Sequence, residues 1–280
     1  MILVTGGLGF IGMHSARAFL EAGESVVLTR YRSSYLPDFL AAEVGKRVFV
    51  ESVDLSSPFD VIDVARRYKV TAICDLFVPR RGALSPAEDM RVKTAGLVNV
   101  LEAARLAGVT RLAHASSGGV YGSVESGPYQ EDMLTPLSSK SETEAYKKAQ
   151  EIMAGHYADR TGLDLVFLRI GLIYGPLYLR ENRMITRMIK AGMTGTPFDA
   201  TGIPEGEPHA EDTMDAVYGR DCGRAIQLLT MADKLPHRAY NIGSGRPIRN
   251  VEFANAVKEV YPNAEIALKP GHRPFGRENS

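Results

Sequence analysis

The sequence predicts an α/β fold, a doubly wound parallel sheet with helices on both faces and a small C-terminal lobe. Three observations carry that prediction. Short apolar runs alternate with segments of helical spacing along most of the chain, the pattern of strands joined by crossover helices. The first run, Ile2 to Val4, stops at the turn Thr5-Gly-Gly-Leu-Gly-Phe-Ile-Gly12, which feeds helical spacing at Ile11, Ala16, Phe19 and Leu20 and ends at Gly23. The length of 280 residues with 45% apolar content allows one large domain, or one domain and a lobe, with ample core.

The glycine turn also has a chemical reading. The first N–H groups of a helix lack internal partners and carry the positive end of its dipole, so a diphosphate is a natural ligand there. Glycine allows the tight turn, the close approach of phosphates and the packing of helix on sheet. The spacing reads as Gly6, Gly9, Gly12 or as Gly7, Gly9, Gly12, and both describe a dinucleotide-binding turn.

The second strand, Ser25 to Thr29, is followed by Arg30-Tyr31-Arg32. This strand end meets the adenosine ribose in such a fold, where an acidic residue binds a 2′-hydroxyl and an arginine pairs with a 2′-phosphate. Arg30, assisted by Arg32 or Ser33, therefore points to NADP, with NAD the alternative. A third strand spans Arg47 to Asp54-Leu55, and a helix is expected from Val61 to Tyr68 behind Pro58. Strand four runs from Ala72 to Val78 and is closed by Pro79; Ala87 to Gly108 is a long amphipathic helix with a glycine stop. Strand five, Arg111 to Ala115, leads into Ser116-Ser-Gly-Gly-Val-Tyr-Gly122, and strand six covers Leu163 to Arg169. Helical spacing is then expected over Ala216 to Met231.

Lys plus Arg and Asp plus Glu both number 33, so charge recommends neither nucleic acid nor an anionic membrane as partner. No apolar run approaches the ~18 residues that span a bilayer, and the first strand begins at residue 2, from which a cytosolic location is expected. The two cysteines, Cys74 and Cys222, lack metal-site spacing and read as reduced thiols. No metal is expected.

Thr5 to Gly12, Asp54-Leu55, Asn99-Val-Leu-Glu-Ala-Ala104, Ser116 to Gly122, Leu168-Arg169, Tyr174-Gly-Pro176 and Asn241-Ile-Gly-Ser-Gly245 follow one another in a recognisable order over nearly the whole chain. In these motifs the sequence resembles the extended short-chain dehydrogenase/reductases, the NAD(P)-dependent epimerase/dehydratase family. The resemblance implies a Rossmann dinucleotide-binding domain over residues 1–176. Residues 177–280 would mainly form a substrate-binding lobe, with 216–245 returning to the core sheet. It implies hydride transfer between a nicotinamide and the carbon of a small hydroxylated or sugar-like substrate, of epimerase, dehydratase or dehydrogenase type. The implied cofactor contacts are Gly6, Gly9, Phe10, Ile11, Gly12, Arg30, Arg32, Asp54, Leu55, Leu76, Lys147 and Ile170. A homodimer built on segments 87–108 and 140–160 is also implied.

In that family a serine orients the substrate oxygen, a tyrosine exchanges its proton, and a lysine lowers the tyrosine pKa and holds the nicotinamide ribose. Ser117 takes the serine position and Lys147 the lysine position. The tyrosine falls on Thr143, whose hydroxyl is no acid near neutral pH. Tyr146 is adjacent to Lys147 and points about 100° away on a helix. A relay asparagine falls on Lys93. On the substrate side, an asparagine and an arginine of nucleotide-sugar enzymes fall on Leu172 and Met214, and the dehydratase Asp-Glu pair is Gly118-Gly119. Arg180, Arg183, Arg187 and His209 are candidate substrate contacts. Either the proton comes from another group or from substrate, or the reaction is unusual, or the protein binds cofactor without turnover. Lys269 to Ser280 is Pro/Gly-rich where family members usually continue into a helix.

Overall fold

A computed structural model describes residues 1–31, 35–79, 83–178, 182–203 and 206–273. In chain order the elements begin with β1 (Ile2–Thr5), α1 (Phe10–Glu21), β2 (Val26–Arg30), α2 (Asp38–Ala41), β3 (Val48–Ser52), α3 (Pro58–Arg67), β4 (Ala72–Asp75) and α4 (Pro86–Ala107). They continue with β5 (Arg111–Ser117), a 3₁₀ turn (Gly118–Tyr121), α5 (Glu142–Thr161), β6 (Leu165–Ile170), β7 (Leu172–Tyr174) and α6 (Met184–Thr194). The chain then forms β8 (Thr213–Met214), β9 (Ala216–Tyr218), α7 (Gly219–Met231), β10 (Ala239–Ile242), β11 (Ile248–Arg249) and α8 (Asn250–Val260).

The chain divides into two compact units. The first holds Met1–Ser123, Leu134–Ile170 and Arg220–Ile242. Its sheet has seven strands in the order β10-β6-β5-β4-β1-β2-β3, with every pairing parallel. Strands covered on both faces can be apolar throughout, and β1, β4 and β6 are buried along their whole length. From β1 the chain builds outward to β2 and β3, then crosses to β4 and builds the other way. The C-terminal ends of β1 and β4 therefore border the switch point, where such sheets bind ligands.

Helix boundaries follow from local chemistry. Ser85 caps α4 in a reciprocal capping box with Glu88, Pro86 fills the position that needs no N–H, and Gly108 closes the helix at φ +65. Ser141 caps α5 by accepting from the Glu144 N–H at 3.2 Å. One face of the sheet is covered through Val61, Val64, Leu97, Val100, Leu101, Ala154 and Ala158, which pack with Leu3, Ile73 and Leu112.

The second unit holds Val124–Met133, Gly171–Gly219 and Gly243–Ser280. Its core joins Met184, Ile185 and Met188 of α6 to Phe253, Ala254 and Val257 of α8. Residues 171–176, which the sequence places with the first domain, fall in the second unit, where β7 pairs with β9 in a separate two-stranded sheet. For the same reason residues 216–218 are a strand of the second unit, not the start of a helix returning to the core; that helix, α7, begins at Gly219. Helices α6 and α8 are not predicted by the sequence spacing. No described helix is long and apolar enough to cross a membrane. Among the described residues no group of three or more His, Cys, Asp or Glu could hold a metal ion.

Candidate active site

The site begins where β1 ends. Gly6 adopts φ +62, a region that costs a side-chain-bearing residue, and its N–H donates to Thr29 Oγ1 at 3.1 Å on β2. The turn closes by Gly9 N–H donating to the Gly6 carbonyl at 2.8 Å. At Gly12 the reason for glycine is space. A β-carbon there would lie 2.7 Å from the Gly7 carbonyl oxygen, and nearer still to that of Gly6. Gly9 stands at the N-cap of α1, and no side chain caps the first turn. The result is a cradle of backbone that a β-carbon would fill, at the positive end of a helix and on the switch-point edge. A dinucleotide diphosphate fits such a cradle. Phe10 and Ile11 open the helix, half-exposed beside it.

Beneath the turn lies a buried polar cluster that periodicity alone does not reveal. The Thr5 hydroxyl donates to Asp75 Oδ1, and Asp75 Oδ2 lies 2.7 Å from His114 Nδ1. Burial works to raise the Asp75 carboxyl, but its hydrogen bonds to His114 and Thr5 outweigh this and hold it below the usual carboxylate range. Thr5 Oγ1 also accepts from the Leu76 N–H at 3.1 Å. Leu76 is thereby fixed with its carbonyl oxygen 3.0 Å from where a Gly6 β-carbon would be. The signal for this cluster was a charged or polar residue inside an apolar strand, Asp75 in β4 and His114 in β5.

On the adenosine side, Arg30 is exposed at the end of β2, and its Nε donates to Ser52 Oγ at 3.3 Å. Its two terminal nitrogens have no partner among the described residues. Arg32 and Ser33 lie outside the described residues. Asp54 is exposed and accepts from the Ser56 N–H at 2.9 Å and its hydroxyl at 2.6 Å, while Leu55 is buried. Asn99 of α4 donates to the Leu55 carbonyl at 2.8 Å and so pins this loop from below.

The structure brings Ser117, Thr143 and Lys147 to one place. Ser117 ends β5 and its Oγ accepts from the Gly119 N–H at 3.0 Å. A β-carbon on Gly119 would lie 3.2 Å from Ser117 Oγ and 3.4 Å from Thr143 Cγ2, so the threonine meets this turn with its methyl group. One helical turn on, Lys147 donates to the Ala115 carbonyl at 2.6 Å. Burial pushes the Lys147 ammonium down to about 8, although Asp75 pulls it up; Lys93 pushes down and Glu151 pulls up more weakly. Ile170 ends β6 beside Ser117 in register.

The hydroxyls of two tyrosines on these elements, Tyr121 and Tyr146, are engaged elsewhere. Tyr121 is 2% exposed; its hydroxyl donates to Asn241 Oδ1 at 2.9 Å and accepts from Arg169 Nη1 at 2.7 Å. The Tyr146 ring lies under Lys93 Nζ at 3.9 Å, and its hydroxyl is held by Asp89. Lys93 itself bridges Asp89 of α4 and Glu142 of α5, the latter at 2.7 Å. It clasps two helices.

Two ion pairs anchor α5, one to β6 and one within the helix and to the segment before it. Glu151 takes a two-pronged hydrogen bond from Arg169, Nε to Oε1 at 3.0 Å and Nη2 to Oε2 at 2.8 Å, and accepts from the Ser116 hydroxyl. Glu144, with no exposed surface, pairs with Lys148 at 2.8 Å. Lys148 also donates to the carbonyls of Pro136 and Ser138. Burial works to raise the Glu144 carboxyl, but bonds from the Lys140 N–H, Lys148 and Ser123 bring it down to about 2.

In the second unit, Leu172, Met214, Tyr174, Met184, Arg183 and Thr186 line a small, mostly apolar concavity. Arg187 is committed to the carbonyls of Asp199 and Thr201, at 2.9 and 2.6 Å. His209 Nδ1 lies 3.1 Å from the Pro270 carbonyl. Arg180 lies outside the described residues.

Residues 2–243 match the family model described as the NAD dependent epimerase/dehydratase family. Among curated proteins, dTDP-glucose 4,6-dehydratase of Streptomyces griseus is 30% identical over 92% of this chain and 78% of its own. Protein CapI of Staphylococcus aureus is 27% identical over 98% of this chain and 88% of its own. Among solved structures, UDP-glucose 4-epimerase of Thermus thermophilus in complex with NAD superposes with a TM-score of 0.79 at 29% identity, covering 100% of this chain and 89% of that one.

Proposed function

The chain belongs to the NAD dependent epimerase/dehydratase family, and from that premise we propose that it is an NAD(P)-dependent enzyme acting on a small hydroxylated or sugar-like substrate. The observation that carries this is the backbone cradle of Gly6 to Gly12 on the same switch-point edge as Ser117 and Lys147. Residues Gly6, Gly9, Phe10, Ile11 and Gly12 hold the diphosphate, with Leu76 and Ile170 along the strand ends and Asp54 and Leu55 at the adenine. When bound, the nicotinamide supplies a site that takes or returns a hydride. Ser117 orients the substrate oxygen, and Lys147 holds positive charge beside the cofactor ribose.

The 2′-phosphorylated cofactor is favoured by the two guanidinium nitrogens of Arg30 that have no partner among the described residues, which match the planar pairing that arginine makes with phosphate. Titration with NADPH and NADH, followed by nicotinamide fluorescence, tests this: NADPH is expected to bind at least tenfold tighter. Equal affinity would remove the arginine argument, and failure of both to bind would remove the cofactor reading. Turnover is tested with UDP-glucose, dTDP-glucose and smaller sugars, and is expected to be lost in Ser117→Ala.

A second reading, cofactor binding without turnover, is favoured by one observation, the methyl group of Thr143 where a phenol is expected. The same substrate panel separates the two. A homodimer is supported by exposed Met90, Val98 and Leu106 on α4 and Ile152 and Met153 on α5, an apolar surface that a two-fold pairing of these helices would cover. Light scattering on the purified protein checks it. A cytosolic site of action is consistent with two buried, unlinked cysteines.

A further inference from the structure

We propose that Lys147 is the acid–base residue of this site, its side-chain nitrogen exchanging the proton of the substrate hydroxyl that Ser117 orients. The inference rests on the oxidoreductase reading above and names the group that reading leaves open. Four observations converge on it. Thr143 turns its methyl to the Ser117 turn. The hydroxyls of Tyr121 and Tyr146 are engaged by Arg169 with Asn241 and by Asp89. Lys93 is clasped between Asp89 and Glu142. Lys147 remains, with one of its three donors on the Ala115 carbonyl and the other two without a partner among the described residues.

The surroundings suit a lysine that must both hold and release a proton. From β4 it faces Asp75, which is tied to His114 and Thr5; from α4, Lys93; from its own helix, Glu151; and from β5, the Ala115 carbonyl. Burial favours the neutral amine and the two carboxylates favour the ammonium, leaving the group near 8 instead of its ordinary 10.5. A base poised near the working pH is the arrangement proton transfer requires. In the oxidising direction the substrate C–H bond breaks with its electron pair leaving as hydride to the nicotinamide. The O–H bond breaks with its proton passing to the neutral Lys147 amine, and its electrons form the carbonyl. Reversal returns both, so atoms and charge balance without another reactant.

The test is made on the full-length protein in two arms. In the first, lysines are ¹³C-dimethylated and titrated by NMR, with the Lys147 resonance assigned by its absence in Lys147→Arg. A midpoint near 8 supports the proposal, and one near 10.5 overturns it. In the second, hydride transfer in the NADP(H)-saturated enzyme is followed at 340 nm against a panel of sugars and nucleotide sugars. Lys147→Arg keeps the positive charge but cannot release a proton. A loss of 100-fold or more, with a wild-type rate that rises through about pH 8 in the oxidising direction, supports the assignment. Transfer within tenfold of wild type overturns it. Transfer by the wild type that survives in Lys147→Arg overturns this inference alone, whereas cofactor binding without any transfer by the wild type, or no binding of NADPH or NADH at all, overturns the proposed function and this inference together.

Discussion

The two sides of the site in the first unit are built from different materials. The cofactor turn is held by backbone: carbonyls and N–H groups of Gly6, Gly7 and Gly9, with room set by the absence of β-carbons. The α5 side is held by side chains, through Glu144 with Lys148 and Glu151 with Arg169. Backbone geometry admits few substitutions, so the turn keeps its spacing. Side-chain geometry can keep the helix seated while a residue beside the pairs, such as Thr143, is free to differ. The comparison teaches that the two sides are fixed by different means, one by shape and the other by ionisable groups.

The contrast can be broken in a graded way. The largest effect is expected for Glu144→Gln, which leaves Lys148 buried without its charge partner and should cost about 3–5 kcal/mol in chemical denaturation. The wild-type pair should also be acid-sensitive. Glu144 is held near 2 in the folded chain against an ordinary value of 4.5, so its contribution is complete above the unfolded value and is lost as pH falls from there toward 2. Gly12→Ala should come next, lowering NADPH affinity 100-fold or more, about 2.7 kcal/mol, in a direct titration. That loss should be the same at pH 6 and pH 8, because no ionisable group makes the turn; a strong pH dependence would erase the distinction between the two sides.

Tyr121→Phe removes the hydroxyl between Arg169 and Asn241, and should cost about 2 kcal/mol of stability by calorimetry with little change in cofactor affinity. Arg30→Ala should have the smallest effect, about tenfold on NADPH and less than twofold on NADH. A larger effect on NADH would mean that Arg30 acts through its bond to Ser52 on the loop and not on a phosphate.

Legibility in the sequence follows the same division. The glycine spacing, the strand–helix alternation and the positions of Ser117 and Lys147 could be read because each depends on local order along the chain. That Thr143 and Lys147 stand on one face of α5 could be read because they are four residues apart. The cluster of Thr5, Asp75 and His114 could not, since its members come from β1, β4 and β5 and meet only when the sheet forms. Helix α6 was legible in principle: Met184, Ile185, Met188 and Ala191 have helical spacing, but the glycines and prolines around them mask it. The pairing of β7 with β9 had no signal, as three-residue strands carry too little pattern. The burial of Glu144 on α5 carried no signal of its own, since it depends on the segment that folds over the helix.

The bond from Tyr121 to Asn241 spans 120 residues of chain, and Asn241 sits on β10, the last strand to enter the seven-stranded sheet. A ribosome therefore delivers the glycine turn within the first dozen residues but the final strand only after the whole of the second unit's middle segment has emerged. Closing so long a loop is slow relative to local helix formation. During synthesis the edge of β6 waits unpaired, exposing the backbone of an apolar strand, Leu165 to Ile170, for the time needed to translate about seventy more residues. The nascent chain thus depends on prompt arrival of β10, and pauses in translation over residues 171–238 are where aggregation of this protein would begin.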